Sequence, residues 1–557
     1  MAGRVRHRCF HRDGSGGEMF VHITVLGLGY VGAVAAAALA RDGHHVLGVD
    51  VDPGKVNRFR QGEVPFHEPG LDNLVREGVS SGRLRFALAS EVESGQLGDL
   101  VLVAVGTPSR PTGAADLSQV EAAMAWVVER AGSSDGGAVA GGPGAAAVST
   151  RPIVVMKSTV PPGTGRRLSR RFLEPAGLAY VSNPEFLREG SAVHDWFHPD
   201  RIVIGSESAE AAARVRALYE DYGAPVLATD ITTAEMVKYG ANAFLATKIS
   251  FINELANMCD RVGADVEEVA RGIGLDPRIG SQFLRAGLGY GGSCFPKDVA
   301  ALDHLARVYD YPFELLRAVI AVNARQRLLP LYALREAFGS LAGVRVTVLG
   351  LAFKPRTDDV REAPALDLIP LLVEEGAEVR AADPQAVERA RPLLPAAVHL
   401  TPSALEALEG AQAVVLATEW DEFVRLDWEE AARRMAEPRL VFDGRNALDP
   451  ERMAALGFRY RGVGRGRFTS PWAAAVPAGQ PAVDGFGRDG KAAARGGVPG
   501  AAVPGAAAGG SASKAAAGDV AVHGAVSADG AGPGGAAQGV LATPEAVPGV
   551  AAARDRD

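Results

Sequence analysis

A cysteine in a glycine-rich segment is the residue whose surroundings point most directly to chemistry. Cys294 stands in the segment 289–298, where three of the first four residues are glycine. Pro296 suits the first position of a helix, which places Cys294 just before a helix N-terminus. The helix dipole and Lys297 would both lower the pKa of the thiol and enrich the thiolate. We therefore predict that Cys294 is a nucleophile, whereas Cys259, inside a helical pattern, fits a small buried hydrophobe.

Two further pairs of polar residues have a spacing that lets them act together. Lys238 and Asn242 lie four residues apart in a helical pattern, and Glu185 and Glu189 are also four residues apart, after the segment 182–184. Residues at this spacing share one face of a helix. Taken alone, either pair fits a solvated helix face or a solvated ion pair as well as it fits a site.

The segment 27–32 has the glycine spacing of a dinucleotide-binding turn, with glycine at positions 27, 29 and 32. Such glycines allow the tight turn, the approach of the pyrophosphate to the backbone, and close packing of helix on strand. Asp50 follows at the end of the next strand, where a carboxylate binds the ribose hydroxyls and repels a 2′-phosphate. This pattern predicts NAD rather than NADP, and Lys55 could add an ion pair at the adenosine end.

The elements that must position these residues fall into two α/β regions joined by a long helix. Apolar and β-branched runs predict strands, and apolar residues at helical spacing predict helices. The strands are expected at 20–26, 45–50, 100–105, 153–156, 344–350, 378–382 and 413–417. One helix is expected to end at residue 40, and two others are expected at 233–262 and 366–375. We predict two Rossmann-like doubly wound α/β domains joined by a central helical domain with a long spine helix.

The composition divides the 557 residues further. The last segment is rich in Ala, Gly and Pro and poor in aromatic residues, which predicts disorder. The expected divisions are a disordered extension (1–18), an NAD-binding domain (19–222) with a flexible insertion (131–150), a central helical domain (223–328), a C-terminal α/β domain (329–464) and a disordered tail (465–557).

Charge and cysteine content exclude several classes of protein. The net charge of −8 argues against nucleic-acid binding, which would need clustered Lys and Arg. Three cysteines rule out a disulfide framework and favour a reducing, cytoplasmic compartment, and no Cys/His spacing suggests a metal. The apolar stretch 23–40 follows an Arg-rich start, but its glycines fit a folded strand and helix better than a signal peptide, so no membrane association is expected.

An ordered series of short segments resembles the UDP-glucose/GDP-mannose dehydrogenase family. The segments, in chain order, are 27–32, 105–108, 157–164, 183–192, 200–205, 291–298, 351–355 and 358–362. The resemblance covers about residues 19–464 and implies NAD-dependent, four-electron oxidation of a nucleotide-sugar alcohol to a carboxylate. A cysteine thiohemiacetal and then a thioester would be the intermediates, and two NADH the co-product. Segments 198–201 and 294–296 look more like the UDP-glucose branch, with UDP-glucuronate as product.

The resemblance also implies roles for individual residues. Lys238 and Asn242 would stabilise the oxyanion beside the nucleophile Cys294, Asp298 would activate water with help from Thr159, and Glu185 would handle a further proton. The cofactor would contact Gly27, Gly29, Tyr30, Val31, Gly32, Asp50, Lys55, Thr107, Thr159, Glu189, Lys297 and Arg361. The substrate would contact Glu185, Phe186, Leu187, Arg188, Lys238, Asn242, Arg278, Phe283, Leu284, Arg285, Ala286, Gly287, Gly291, Lys354 and Arg445. Arg278 resembles an arginine that reaches the neighbouring subunit, which implies a homodimer. The resemblance also implies that the domain at 223–328 forms the dimer and that the domain at 329–464 binds the UDP-sugar.

Three alternatives remain open at this point. The substrate could be GDP-mannose or a UDP-N-acetylhexosamine. A relative that transfers a single hydride to or from a hydroxyacid would need no cysteine. A non-catalytic sensor of NAD or nucleotide sugars would have no use for an activated thiol, so the set Cys294, Lys238, Asn242 and Asp298 argues against it.

Overall fold

The computed structural model describes residues 11–12, 19–132 and 151–465. In the predicted N-terminal extension, His11–Arg12 forms a two-residue antiparallel pairing with Met19–Phe20. The other residues of that extension, most of the predicted insertion and the predicted tail after residue 465 lie outside the described residues.

An eight-stranded sheet forms the N-terminal α/β region. Its strands are β1 (His22–Leu26), β2 (His45–Asp50), β3 (Leu84–Leu88), β4 (Leu100–Val103), β5 (Ile153–Met156), β6 (Ala179–Ser182), β7 (Ile202–Ser206) and β8 (Val226–Thr229). They lie in the order β8-β7-β6-β5-β4-β1-β2-β3, and every pair is parallel except β6 with β7. Central strands such as β4 and β5 are buried at every residue, as expected for a sheet covered on both faces.

Helices cover both faces of this sheet. They are α1 (Tyr30–Arg41), α2 (Pro53–Arg60), α3 (Leu71–Ser80), α4 (Ser118–Ala131), α5 (Thr164–Leu168), α6 (Ala192–Phe197) and α7 (Ala209–Ala217). The Ala-rich α1 is buried from Gly32 to Ala40, since its small side chains allow it to pack closely on the strands.

The predicted spine helix is α8 (Ile231–Val262), which has 32 residues. It begins after Asp230, whose carboxylate accepts the amides of Thr232 and Thr233, and it ends at the left-handed Gly263. The helices that follow are α9 (Val266–Gly274), α10 (Phe295–Val308), α11 (Glu314–Gln326) and α12 (Leu329–Phe338). In the part of the chain that the structure describes, no helix is both long and apolar enough to span a bilayer.

A second, entirely parallel sheet forms the C-terminal region. Its strands are β9 (Arg345–Leu349), β10 (Glu378–Ala382), β11 (His399–Thr401), β12 (Ala413–Leu416), β13 (Leu440–Asp443) and β14 (Arg459–Gly462), in the order β11-β10-β9-β12-β13-β14. Its helices are α13 (Pro364–Glu374), α14 (Val387–Ala390), α15 (Ala404–Ala407), α16 (Asp421–Val424), α17 (Trp428–Arg434) and α18 (Pro450–Ala455). The predicted fold class, two Rossmann-like domains around a central helical one, is confirmed.

The topology of the first sheet decides where a ligand can bind. The chain runs from β1 outward through β2 and β3, and then returns to place β4 on the other side of β1. Ligands in open α/β sheets bind outside the carboxyl ends of the strands at such a switch point. The turns that follow β1 and β4 begin at Gly27 and Ala104, so they frame the binding crevice.

Candidate active site

The three glycines after β1 have the environments that the dinucleotide motif requires. A Cβ on Gly32 would lie 1.8 Å from the carbonyl oxygen of Gly27, so only glycine lets α1 pack against the turn. A Cβ on Gly29 would meet nothing within 4 Å, which leaves open space in front of the helix N-terminus. A pyrophosphate fits there because it can approach the backbone and the free amides of α1.

Asp50 lies at the end of β2, where its carboxylate organises the same turn. It accepts the amides of Leu28 at 2.8 Å and Asp52 at 3.0 Å, and it pairs with the ammonium of Lys55 at 2.8 Å. Although burial raises the pKa of Asp50, the hydrogen bonds from Lys55 and from the backbone outweigh it, and the pKa is lowered. The side chain is therefore an ionised acceptor, and Lys55 is committed to it.

A cleft of about 1510 Å³ runs from this turn to the cysteine. Most of the predicted cofactor residues line it: Gly27, Gly29, Tyr30, Val31, Asp50, Lys55, Thr107, Thr159, Glu189, Lys297 and Arg361, together with Cys294 and Glu185. Gly32 is not among these lining residues, because it packs against Gly27 beneath the turn. The nucleotide motif and the nucleophile come from different domains, and the fold brings them to one cavity.

Cys294 is the N-cap residue of α10, with Pro296 in the first turn of the helix. The glycine segment before it fits closely against the C-terminal domain, since a Cβ on Gly291 would lie 2.1 Å from the carbonyl oxygen of Glu362. The only hydrogen-bonding contact of the sulfur among the described residues is the hydroxyl of Ser293 at 3.5 Å. The thiol is therefore placed at a helix N-terminus facing the cleft, as predicted.

The predicted lowering of the thiol pKa is wrong for the free protein. Burial, and then the carboxylate of Glu185, raise the pKa of Cys294, and the ammonium groups of Lys238 and Lys297 only partly oppose them. The sequence pattern showed the lysine three residues farther along the chain but could not show the carboxylates that the fold brings near. The protonated thiol is therefore the prevailing form at neutral pH.

Lys238 is buried, with 3% exposure, so the solvated helix face is excluded for it. Its ammonium lies 3.3 Å from the carboxylate of Glu185, which is also buried, with 6% exposure. Burial lowers the pKa of Lys238, but the negative charges of Glu185 and of the neighbouring groups outweigh that effect and the pKa is raised. Lys238 is thus a fixed positive charge beside Glu185, a residue of the cleft wall.

Asn242 is also buried, one helical turn farther along α8. Its amide nitrogen donates to Asp298 Oδ2 at 2.6 Å, and the other oxygen of Asp298 pairs with the ammonium of Lys297. Both partners hold Asp298 in one orientation, and it lies one helical turn after Cys294 in α10. Asn242, predicted to stabilise the oxyanion, and Asp298, predicted to activate water, are therefore joined by a hydrogen bond.

Glu189 and Arg361 meet above the cysteine. Glu189 Oε1 accepts the hydroxyl of Ser293 at 2.7 Å and lies 3.4 Å from Arg361, which in turn forms a forked pair with Asp359. Burial, and then the charge of Asp359, raise the pKa of Glu189. A buried carboxyl of this kind can donate as well as accept hydrogen bonds at neutral pH.

Tyr30 differs from the simple cofactor contact that was predicted. Its hydroxyl donates to Asp358 Oδ1 at 2.7 Å and lies 3.1 Å from the hydroxyl of Thr357, and its ring packs on Phe66. The side chain therefore joins the nucleotide turn to the C-terminal domain, while its backbone remains at the start of α1.

Only some of the predicted substrate residues line the cleft. Arg445 is held within the C-terminal region, where its guanidinium donates to the carbonyl oxygens of Ala417 at 2.7 Å and Phe353 at 3.2 Å. Lys354 follows that phenylalanine and is partly buried, and burial lowers its pKa. Gly287 is held by the side chain of Asn253, with its amide 2.9 Å from Asn253 Oδ1.

The remaining members of this set have varied surroundings. Leu284 and Ala286 belong to the hydrophobic core, so they act through packing. The side chain of Arg188 pairs with Asp195 at 2.6 Å. The guanidinium of Arg201 lies 3.6 Å from the centre of the Phe186 ring, and the amide of Leu187 donates to the carboxylate of Glu185. The ring of Phe283 lies near that of Phe295, and Arg285 is exposed.

Arg278 does not reach the site of its own chain. Its side chain is 87% exposed and pairs with Asp276 at 2.6 Å. It is absent from the residues that line the cleft in the described part of the chain.

Three residues near the site were missed by the sequence reasoning. Ser293 links Glu189 to the sulfur, Asp359 holds Arg361, and Lys157 lines the cleft wall beside Glu185. Each stands inside a segment that had been recognised. Their polar side chains next to predicted site residues were the available signal.

Three domain models of one family match the chain in order. They are those of the UDP-glucose/GDP-mannose dehydrogenase family: the NAD binding domain over residues 21–223, the central domain over 232–325 and the UDP binding domain over 347–450. The glycine turn and Asp50 lie in the first of these. NAD is therefore the cofactor, and the open space before α1 fits it.

Individual relatives agree with this assignment. The chain is 42% identical to UDP-glucose 6-dehydrogenase YwqF of Bacillus subtilis, over 80% of this chain and 98% of the relative. It is 45% identical to UDP-glucose 6-dehydrogenase of Pseudomonas aeruginosa, with the same coverage of both chains. A solved UDP-glucose dehydrogenase of Pyrobaculum islandicum superposes with a TM-score of 0.71 at 40% identity, covering 80% of this chain and 98% of that one. The chain is an oxidoreductase and belongs to the UDP-glucose/GDP-mannose dehydrogenase family.

Proposed function

We propose that this protein oxidises UDP-glucose to UDP-glucuronate with two NAD+ as hydride acceptors. The observation that carries the proposal is the placement of Cys294 in the same cleft as the NAD turn. The identity of 42% and 45% to proteins named UDP-glucose 6-dehydrogenase supports UDP-glucose as the substrate.

The chemistry explains why a thiol belongs in this cleft. NAD+ accepts a hydride at each of the two oxidation steps. Loss of the first hydride and a proton turns the primary alcohol into an aldehyde, which has no hydride to give until a nucleophile adds to it. Cys294 forms the carbon–sulfur bond and its proton passes to the carbonyl oxygen, giving a thiohemiacetal. Loss of the second hydride and a proton leaves a thioester, and water then releases the carboxylate and restores the thiol.

The residues around the sulfur suit these steps. Lys238 presents a buried positive charge where the oxyanion forms, and such a preorganised group stabilises developing charge strongly. Asn242 holds Asp298, so we assign Asp298 the activation of water, with Thr159 assisting from the cleft wall. Glu185, 3.3 Å from Lys238, is the further proton-handling group.

The stoichiometry of the reaction tests this proposal. We expect about two NADH for each UDP-glucose consumed, because the conversion removes four electrons. The measurement is NADH absorbance against chromatographic loss of UDP-glucose, with the purified full-length chain. A panel of UDP-glucose, GDP-mannose, UDP-N-acetylglucosamine and UDP-N-acetylmannosamine would identify the substrate. One NADH per substrate would contradict the four-electron mechanism, and no turnover at all would favour a sensor.

We also propose that the protein is a homodimer that forms along α8. Phe244, Phe251 and Met258 recur every seven residues on this helix and are 64%, 54% and 53% exposed. An exposed apolar stripe of this length marks an interaction surface. Lys248, between the two phenylalanines, donates to the carbonyl oxygens of Ile279 and Gly280. The loop that carries the exposed Arg278 is therefore fastened beside the stripe, where a second copy would receive it.

A complementation experiment tests the dimer. Phe251→Glu should yield a monomer by light scattering, because it places a charge in the apolar stripe, while Leu393→Glu, at an exposed residue of the C-terminal domain, should leave the dimer intact. Arg278→Ala and Cys294→Ala should each be inactive alone. Subunit exchange between them should restore about a quarter of the wild-type sites, since half the dimers become hybrids with one complete site. No recovery after verified exchange would show that Arg278 does not act across the interface.

We also propose a role for each domain and a cellular compartment for the protein. The domains at 19–222, 223–328 and 329–464 are proposed to bind NAD, to form the dimer and to bind the UDP-sugar respectively. A catalytic thiol has to stay reduced, so we place the protein in the cytoplasm.

A further inference from the structure

Glu235 is a buried carboxylate that the catalytic set described above does not use. It lies on α8, one helical turn before Lys238, and is 2% exposed. Its Oε2 accepts the amide of Gly163 at 2.7 Å, and its Oε1 accepts the amide of Gly165 at 2.6 Å. These two hydrogen bonds, called the Glu235 clamp below, join the start of α5 in the N-terminal domain to the helix that carries the predicted oxyanion residues.

The chain is closely fitted around this carboxylate. A Cβ on Gly165 would lie 2.7 Å from Glu235 Oε1 and 2.6 Å from a methyl group of Ile231, so only glycine lets the amide approach the acid. Burial raises the pKa of Glu235 to about 7, and the two amides oppose that effect. The other charged or titratable groups that face Glu235 are Arg166 on α5, Asp230 before α8, Tyr180 on β6 and Tyr239 on α8.

The segment that the clamp fastens also carries Thr159, which lines the active-site cleft. Residues 161 and 162, between Thr159 and Gly163, are both prolines, and the ring of a proline fixes φ. The amide of Thr164 donates to the carbonyl oxygen of Pro161 at 3.0 Å, which closes a turn. The link from Glu235 to Thr159 is therefore short and stiff.

The other side of Thr159 is anchored to the N-terminal sheet. The amides of residues 157 and 158 each donate to the carbonyl oxygen of Val103, at the end of β4, at 2.9 Å. Thr107 Oγ1 donates to the carbonyl oxygen of Thr159 at 3.0 Å. These bonds tie the segment to its own domain, whereas the clamp sets it against α8 and therefore against Lys238.

We propose that Glu235 is a positioning residue for catalysis, which holds Thr159 on the cleft wall in register with Lys238 on α8. It acts through the backbone of residues 159–165 and needs no contact with the substrate or with NAD. The alternative is that Glu235 only caps α5 and stabilises the fold. The effect on turnover rests on the proposed function, whereas the clamp itself does not.

Hydrogen exchange tests the clamp directly. Glu235→Gln keeps the size of the side chain, but its amide nitrogen cannot accept a hydrogen bond, so one of the two glycine amides loses its acceptor. We expect the amides of residues 163–165 to exchange about 3- to 10-fold faster in the variant, the effect of roughly one hydrogen bond. The measurement is mass spectrometry of the peptide that spans these residues, and peptides of the C-terminal domain should be unchanged.

Kinetics test the positioning of Thr159. The assay is run at about pH 8, above the pKa of Glu235, with the nucleotide sugar that the substrate panel identifies. Glu235→Gln should lower kcat about 10-fold or more, because a small misplacement of a reacting group is costly. The KM for the nucleotide sugar should stay within about threefold of wild type.

A double variant separates positioning from stability. Thr159→Ala should lower kcat by itself. If Glu235 acts through Thr159, adding Glu235→Gln to Thr159→Ala should cost no more than about a further twofold, since residues that act through one another are not additive. A purely structural loss would instead be the same in both backgrounds.

Arg167→Met is the matched control on α5. Arg167 pairs with Glu121 of α4 at 2.8 Å and its side chain is 47% exposed, so the variant alters the same short helix and leaves the clamp in place. Exchange and kcat should both stay within about twofold of wild type, because exposed ion pairs contribute little. If Glu235→Gln fails to fold, Glu235→Asp keeps the acid, shortens its reach by one methylene group and serves for the same measurements.

The outcomes separate the clamp, the positioning role and the proposed function. Unchanged exchange in folded Glu235→Gln would overturn the clamp. An unchanged kcat in Glu235→Gln or in Thr159→Ala, or losses that add in full, would overturn the positioning role. A wild-type protein that makes no UDP-glucuronate but oxidises another nucleotide sugar, with the expected coupling between the two residues, would overturn the proposed function alone.

Discussion

Cys294→Ala should abolish the formation of UDP-glucuronate, with at least a roughly 1000-fold loss of turnover. Without the sulfur the aldehyde has no covalent adduct from which a second hydride can leave. Binding of NAD should stay within about twofold of wild type, because the glycine turn and Asp50 belong to another domain. The measurements are product formation by chromatography and NAD affinity by calorimetry.

The second cysteine of the described chain is the matched control. Cys259 is buried in α8 and packs in the hydrophobic core of the C-terminal region, where burial raises the pKa of its thiol. Cys259→Ala should therefore keep full turnover at a modest cost in stability. Retained turnover in Cys294→Ala would reject the covalent mechanism, and loss of NAD binding there would show that the variant had disturbed more than the nucleophile.

Lys238→Met should lower kcat by about 100- to 1000-fold, the loss typical of removing one preorganised group that stabilises an oxyanion. Lys238 is the fixed positive charge beside Glu185, and a methionine of similar length fills its space without the charge. The KM for NAD should change little, because the cofactor turn lies elsewhere in the cleft. Steady-state kinetics with both substrates measures the two effects separately.

Arg261→Met is the control for a cation on the same helix. Its guanidinium donates to the backbone carbonyl oxygen of Asn257 and has no contact with Glu185 or Cys294 among the described residues. It should keep kcat within about threefold, since its position is remote from the developing charge. A similar loss in both variants would mean that the effect arises from the helix as a whole. Thermal unfolding followed in each variant separates such damage from chemistry.

The nucleotide turn shows how far local sequence can predict a site. The glycines at 27, 29 and 32 and the carboxylate of Asp50 have the predicted positions because a strand, a turn and a helix are built from neighbours in the chain. The helix α8 was equally predictable, since its period and its end at Gly263 are local features. The family resemblance then supplied residues that no local argument could connect.

The surroundings of the cysteine show where such prediction fails. The pKa of Cys294 was predicted from its neighbour Lys297, but the fold commits that lysine to Asp298 and brings the carboxylate of Glu185 near the thiol. Tyr30 likewise turns its hydroxyl to Asp358, 328 residues away. Long-range electrostatics and contacts between domains depend on distances that no spacing in the sequence encodes.

The amino-acid sequence by itself determined the fold class, the NAD turn, the identity of the nucleophile candidate and the family, because each follows from periodicity or from ordered motifs. Only the tertiary structure decided that Lys238 and Asn242 are buried and that the thiol of Cys294 is held in its protonated form. The physical reason is that burial and charge are properties of three-dimensional neighbours, and three domains contribute them to one cleft.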